Sequence, residues 1–416
     1  MLLALGCEYK LYLHQMDVST AYLNSDLHEV VYMKQPEGFV DKKFPQRVLK
    51  LNKALYGLKQ SGREWNMKLD EVLKSFGFTP CISDPCVYTR NVHGNYIIIM
   101  VYVDDLIIGC SKLDEVVKIR EQISSIFDVV DGGPLKYFLG LEIERKGETG
   151  AITICQKKYI SDLLCQYKML DCKAAVTPLV PGFQVNCNSP DCRRVNTTNY
   201  QSLIGSLMYL AVLTRPDILH SVCKLSQQNI ESHSEHETGA KHILRYLKGT
   251  IDLKLHYKWT GKAVKCYVDA DWGSDASDRK SYTGSAFIAA GSVFSWKSKK
   301  QSVVALSSTE AEYIALSTAA KEAAYIRKLL TEMGFLVNGP TVINSDNQGA
   351  MHLVKHPVYH SRSKHIDLKY HHVRDMYKNN EINLNYICTE EMFSDIFTKN
   401  LQKTRHCKFR NNMGLY

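Results

Sequence analysis

Tyr96-Ile97-Ile98-Ile99-Met100-Val101-Tyr102-Val103-Asp104-Asp105-Leu106-Ile107-Ile108-Gly109-Cys110 holds two apolar β-rich runs separated by a pair of acids. Tyr96 to Tyr102 and Leu106 to Cys110 read as strands, so Asp104 and Asp105 fall at a hairpin tip. Adjacent carboxylates there repel unless solvent or a cation compensates them, and a solvated turn is the plain alternative to a metal. Working outward, Leu11 to Val18 reads as a strand carrying Asp17, and Gly62 to Phe78 has helical spacing through Trp65, Leu69, Val72, Leu73 and Phe76. A helix is expected over Glu115 to Phe127, then a hairpin of Lys136 to Arg145 with Ala151 to Cys155. Strand, helix, strands, helix, strand is the order of a split βαβ sheet, which can bring Asp17 beside Asp104 and Asp105. Hard oxygen ligands of this kind suit magnesium, and a pair of such ions about 3.5–4 Å apart supports nucleotidyl transfer.

The chain continues with a polar loop from Phe183 to Asn199 and a helix-rich segment ending near Gly261. From Ala263 the pattern changes to α/β, with an acid at four element ends. Asp269 closes a strand, Glu312 lies in the first turn of a helix over Thr309 to Met333, Asp346 closes Thr341 to Ser345, and Asp395 opens a terminal helix. Such acids can converge on one pocket and suit two-metal phosphodiester hydrolysis. For Glu312 a plain reading competes, since Thr309-x-x-Glu312 is a capping box, as is Ser307-x-x-Glu310.

Length and composition set the frame. The 416 residues suit two or three domains, and 45% apolar with 23% charged residues is ordinary globular composition. A net charge of +9 agrees with a polyanionic partner without requiring one. The 13 cysteines form no C-x-x-C pairs, which points to free thiols in a reducing compartment. The apolar start has no basic leader, and the longest apolar run, Tyr96 to Val103, suits a buried strand. The expectation is an intracellular protein, cytoplasmic or nuclear, neither secreted nor membrane-bound.

Several motifs then act together. Gln15-Met16-Asp17-Val18-Ser19-Thr20-Ala21-Tyr22-Leu23, Tyr32-Met33-Lys34-Gln35-Pro36-Glu37-Gly38-Phe39, Leu55-Tyr56-Gly57-Leu58-Lys59-Gln60 and Tyr102-Val103-Asp104-Asp105 occur in that order, followed by Thr214-Arg215-Pro216-Asp217-Ile218. In order and spacing they resemble the reverse transcriptase of copia-type LTR retrotransposon Pol polyproteins. Tyr267-Val268-Asp269-Ala270-Asp271-Trp272, Ser307 to Leu316, Asn344-Ser345-Asp346-Asn347 and Ser394-Asp395-Ile396-Phe397-Thr398-Lys399 resemble the RNase H of the same elements.

The resemblance implies a multidomain α/β and α+β chain. Its parts are an antiparallel split βαβ polymerase palm over residues 1–160, a helical thumb or connection over 161–260, and an RNase H-like α/β domain over 261–416. It implies catalytic, metal-holding roles for Asp17, Asp104 and Asp105, and for Asp269, Glu312, Asp346 and Asp395, with Mg2+ or Mn2+ in two-metal sites. Tyr22, Tyr56, Gly57 and Lys59 would face the dNTP, although a core aromatic is an equal reading of Tyr22. Lys299, Lys300, Arg362, Lys364 and His365 would meet an RNA–DNA hybrid or template-primer. Two departures stand out. Ser61-Gly62 replaces the family's Ala-Pro, and the fingers that precede Asp17 in the family are absent, which implies impaired DNA synthesis. RNase H relatives also carry a histidine about ten residues before the last aspartate, and none stands there in this chain. The competing class is a non-catalytic remnant of a transposable element that binds nucleic acid.

Overall fold

The computed structural model describes residues 1–92, 94–183, 193–355 and 367–416, and among these the side chains of 367–370 are also left out. Contacts divide the chain into two compact units. One comprises Leu11–Leu135 with Lys328–Phe335, the other Met1–Lys10, Lys136–Arg327 and Leu336–Tyr416. The segments expected as thumb and as RNase H-like domain thus share one unit, apart from Lys328–Phe335.

The Leu11–Leu135 unit contains β1 (Tyr12–Val18), α1 (Ser61–Ser75), β2 (Thr79–Pro80), β3 (Val87–Val92), β4 (Asn95–Tyr102), β5 (Asp105–Cys110), α2 (Leu113–Ser124) and β6 (Val129–Pro134). They form a six-stranded sheet in the order β2-β3-β4-β5-β1-β6, antiparallel throughout. β1, α1, β4, β5, α2 and β6 give the expected split βαβ order. β5 is buried along its length after Asp105, as its unbroken apolar run requires. Helix α1 buries Trp65, Leu69, Val72 and Leu73, spaced to make one face, and α2 buries Val116, Ile119 and Ile123. These side chains close one hydrophobic core over the sheet.

One element departs from expectation. The closing strand is Val129–Pro134, whereas Lys136 to Arg145 had the stronger apolar pattern. Val129-Val130-Asp131-Gly132-Gly133-Pro134 looks like a turn in sequence, yet it pairs with β1 through a register shift at Gln15/Met16. Gly132 makes that pairing possible, because a Cβ there would lie 2.6 Å from Gln15 Cγ.

In the other unit, Tyr137–Phe138 (β7), Leu141–Arg145 (β8), Ile152–Cys155 (β9) and Leu255–Tyr257 (β10) make a sheet in the order β10-β9-β8-β7. Helices α3 (Lys157–Gln166), α4 (Thr197–Leu213), α5 (Leu219–Ser226) and α6 (Ser234–Gly249) lie between β9 and β10 in sequence. Arg215 and Asp217 of the Thr-Arg-Pro-Asp-Ile motif are buried here as an ion pair of 2.8 Å. The Tyr246 hydroxyl donates to Asp217 at 2.7 Å, and the guanidinium donates to the Thr250 carbonyl at 3.1 Å. The motif therefore does structural work, pinning the α4–α5 corner to the end of α6.

A five-stranded sheet completes this unit. Its strands are β11 (Lys265–Asp271), β12 (Tyr282–Ala289), β13 (Ser292–Lys300), β14 (Thr341–Ser345) and β15 (Ile382–Tyr386), in the order β13-β12-β11-β14-β15. β11 and β13 flank β12 antiparallel, while β14 runs parallel to both β11 and β15. Helix α7 (Ser308–Glu332) connects β13 to β14. Asp395 does not open an α-helix as expected. It lies in a buried 3-10 turn, Phe393–Phe397, and α8 begins only at Lys403 and runs to Asn412. In sequence the short turn and the helix beyond it read as one element; in the fold they are separate.

Candidate metal centre in an acidic pocket

Asp269 sits near the end of the central strand β11, 2% exposed, and Glu312 lies one turn into α7, 5% exposed. Asp346 follows β14 directly. Parallel pairing of β11 with β14 brings these strand ends to the same edge, and the oxygens of Asp269, Glu312 and Asp346 lie within 4.8 Å of one another. Among the described residues this is the one acid cluster that closes so tightly.

Hydrogen bonds settle which glutamate caps the helix. Glu310 Oε2 accepts from the Leu306 N–H at 2.8 Å while the Glu310 N–H donates to Ser307 Oγ at 3.2 Å, so the Ser307/Glu310 pair caps α7. Glu312 Oε1 instead accepts from the Ala270 N–H at 3.1 Å, reaching across to β11. Its Oε2 is buried without a hydrogen-bond partner. An orphaned carboxylate oxygen beside two more acids fits a divalent cation, which is what hard oxygen donors bind.

Asp395 is wholly buried beside this cluster. Lys399 Nζ lies 2.9 Å from its Oδ1 and 3.9 Å from Asp269 Oδ2, and Arg405 pairs with Asp395 Oδ2. The Thr398 hydroxyl donates to Asp269 Oδ2, and that of Thr389 to Asp346 Oδ2 at 2.7 Å. Burial pushes Asp269 up to about 6, with Lys399 opposing the rise and Asp395 adding to it. Burial, reinforced by Asp269, raises Glu312 well above the usual carboxylate range.

The second set of acids is looser. Asp17 pairs in register with Asp105 across β1 and β5, and the Val18 N–H donates to the Asp104 carbonyl at 2.8 Å. Burial followed by the Asp104 charge raises Asp17; burial followed by Asp104 and Asp17 raises Asp105. The three are neighbours, but their oxygens do not close to the spacing of the Asp269 cluster. Tyr22 and Tyr56 pack with ring centroids 4.5 Å apart, close enough to the acids that Asp104 adds to the burial-driven rise of Tyr56. The Ser61 hydroxyl, fully buried, donates to the Leu55 carbonyl and so ties down the loop bearing Tyr56 and Gly57.

Residues 1–181 match the family model for reverse transcriptase (RNA-dependent DNA polymerase). The chain is 38% identical over 421 residues to the retrovirus-related Pol polyprotein from transposon TNT 1-94 of Nicotiana tabacum, covering 100% of this chain and 32% of that protein. It is 34% identical over 312 residues to a putative transposon Ty5-1 protein of Saccharomyces cerevisiae, covering 74% of this chain and 100% of that protein. The chain belongs to the copia-type retrotransposon Pol family. It spans about a third of the length of the tobacco polyprotein. Part of the chain also resembles solved RNase H structures. The N-terminal RNase H domain of a Mycobacterium tuberculosis protein is 10% identical and covers 36% of this chain and 96% of that one, with a TM-score of 0.26. RNase H1 from Halobacterium salinarum is 14% identical and covers 31% and 87%, with a TM-score of 0.24.

The other residues singled out in this Pol-family chain fall in different places. Gly57 has a φ of +96° with open space where a Cβ would project, and Lys59 is exposed. Lys299 is exposed, whereas Lys300 is held by Asp275 at 2.7 Å and Asp278 at 2.9 Å. Arg362, Lys364 and His365 lie outside the described residues. No helix among the described residues is long and apolar enough to cross a membrane.

Three residues at these sites were not found by sequence reasoning. Lys399 and Arg405 reach Asp395 from four and ten residues along the chain, and only the four-residue spacing was a readable signal. Gly284 pairs with Asp269 in register, and a Cβ on it would lie 2.9 Å from the Ser394 carbonyl. It lets the Phe393–Phe397 turn approach β12 closely enough to deliver Asp395.

Proposed function

We propose that this chain is the polymerase and RNase H portion of a Pol protein, and that the Asp269 pocket hydrolyses the RNA strand of RNA–DNA hybrids. The observation that carries this reading is the convergence of Asp269, Glu312 and Asp346 from three separate elements to within 4.8 Å. A cluster of buried acids is costly to fold unless a cation repays it. Bound Mg2+ or Mn2+ would supply an activated water and stabilise the leaving oxygen at phosphorus. Asp269, Glu312 and Asp346 hold that charge; Asp395 completes the acidic wall, oriented by Arg405. The hybrid is held through its phosphates and A-like shape, with little sequence preference, and Lys299 is the exposed contact beside β12.

Nucleotidyl transfer from dNTP to a template-primer is assigned to Asp17, Asp104 and Asp105, with Tyr22, Tyr56, Gly57 and Lys59 facing the nucleotide. The packing of Tyr22 against Tyr56 next to Asp104 favours this second activity. Under this reading residues 1–160 form the palm, 161–260 the connection and 261–416 the RNase H domain.

The test is cleavage of a hybrid whose RNA strand is labelled, with magnesium. The chain is expected to cut it, and Asp346→Asn to lose at least a hundredfold in rate while binding the hybrid as before. Equal cutting by both proteins would refute the assignment, and binding without cutting by the unaltered chain would make it a nucleic-acid-binding remnant.

A further inference from the structure

The three clustered acids of the Asp269 pocket are not held alike. Asp269 and Glu312 are buried, and each has an oxygen fixed from within the fold, by the Thr398 hydroxyl and by the Ala270 N–H at 3.1 Å respectively. Asp346 is half-buried and stands one residue beyond β14. Its backbone is pinned from the following residue. The Asn347 N–H donates to Ser345 Oγ at 3.2 Å, and Asn347 Oδ1 accepts from the Ala350 N–H at 2.8 Å in the first turn of the helix Gln348–Lys355. The carboxylate can still turn, because a half-buried side chain lacks the close packing that locks a buried one. What restrains it is Thr389, 43 residues away in sequence, whose hydroxyl donates to Asp346 Oδ2 at 2.7 Å.

We propose that Thr389 is a positioning residue of this pocket: its hydroxyl occupies Asp346 Oδ2, so that Oδ1 is the oxygen presented to a divalent ion. The proposal rests on the metal-centre reading of the pocket and adds to it a residue that acts through Asp346. Ligating carboxylates are commonly oriented by a hydrogen bond from outside the coordination sphere. The placement of Thr389 is itself secured. It lies shortly after β15, in a turn where the Glu391 N–H donates to the Cys388 carbonyl at 3.0 Å. Two cations of α8 hold this turn by its backbone: Arg405 Nη2 donates to the Thr389 carbonyl at 2.9 Å, and Lys408 Nζ to the Glu390 carbonyl at 2.8 Å. Arg405 is the guanidinium that also pairs with Asp395. One side chain therefore fixes Asp395 directly and Asp346 through Thr389, tying two acids from separate elements to a single helix. Thr389 is exposed, so its bond adds little to stability, and losing it alters the aim of Asp346 rather than the fold.

The experiment titrates Mn2+, followed by electron paramagnetic resonance and without nucleic acid, into the full chain carrying Asp17→Asn, Asp104→Asn and Asp105→Asn to silence the other acids. Thr389→Val keeps the branched shape and removes the hydroxyl; it is expected to weaken Mn2+ binding about tenfold while melting like its parent. Thr389→Ser keeps the hydroxyl on a smaller side chain and should bind as the parent does. In hybrid cleavage at subsaturating magnesium the valine variant should be slow, and it should recover as magnesium is raised. Parental Mn2+ affinity in Thr389→Val, or an affinity lowered as far in Thr389→Ser as in Thr389→Val, would overturn the proposal. A parent that binds no Mn2+, or an affinity that Asp346→Asn leaves unchanged, would instead overturn the metal-centre reading and the proposal with it, so the two failures read differently.

Discussion

At the scale of single residues, the clearest division of labour is between two glutamates two positions apart. Glu310 closes the N-terminus of α7 and Glu312 crosses to β11, so their substitutions should separate stability from chemistry. Glu310→Ala is expected to cost about 1 kcal/mol in urea melts with hybrid cleavage retained. Glu312→Gln should leave the fold intact and abolish cleavage; cleavage lost equally in both would contradict the assignment. Trp65 is a second case. It is buried, and its indole N–H donates at 2.6 Å to the carbonyl of Val103, a β-branched residue held at a φ of +58° in the turn that carries Asp104. That conformation costs energy and persists only where neighbours enforce it. Trp65→Phe keeps most of the packing and removes the donor, so a loss of about 1–3 kcal/mol is expected from denaturant unfolding. An unchanged midpoint would show that the turn holds itself.

At the scale of elements, two glycines decide how neighbouring segments meet, and they differ in what a methyl group would strike. At Gly132 the nearest atoms belong to the flexible Gln15 side chain, whereas at Gly284 they include the Ser394 carbonyl and Phe397 Cβ. Gly132→Ala should therefore be destabilising yet largely rescued by adding Gln15→Ala, a coupling that a double-mutant cycle measures directly. Gly284→Ala has no such escape. It should push the Phe393–Phe397 turn away from β12, costing roughly 1–3 kcal/mol as overpacking does and weakening cleavage by displacing Asp395. Cleavage at the parental rate by a folded Gly284→Ala protein would mean that the turn's position does not matter.

For the whole molecule, the buried charges predict how it responds to acid. Burial holds His220 down to about 3, well below its ordinary 6.5, so between those values the unfolded chain binds the proton and the folded chain does not. This part of the stability is complete above pH 6.5 and falls as the pH drops toward 3, at roughly 1 kcal/mol per pH unit. For Asp217 burial works to raise the pKa, but the Arg215 guanidinium outweighs it and keeps the carboxyl below the usual range. Its contribution persists above pH 3.8 and fails only in stronger acid. Asp269 and Glu312, whose carboxyls are raised by burial, work in the opposite sense over the same window, so the contribution of His220 is read by difference: between pH 6.5 and 3 the melting temperature of His220→Gln should fall less than that of the parent, and equal falls would exclude His220 as a contributor. Sequence alone determined the family, the split βαβ order, the strands bearing Asp17 and Asp269, and the hairpin that carries Asp104 and Asp105, because apolar periodicity and motif spacing are local properties of a chain. It did not determine that Val129–Pro134 closes the sheet, that Glu312 leaves capping to Glu310, or that Lys399 and Arg405 hold Asp395. Those outcomes depend on which backbone approaches which, and on where buried charge finds a partner, and both are set only when distant segments pack together.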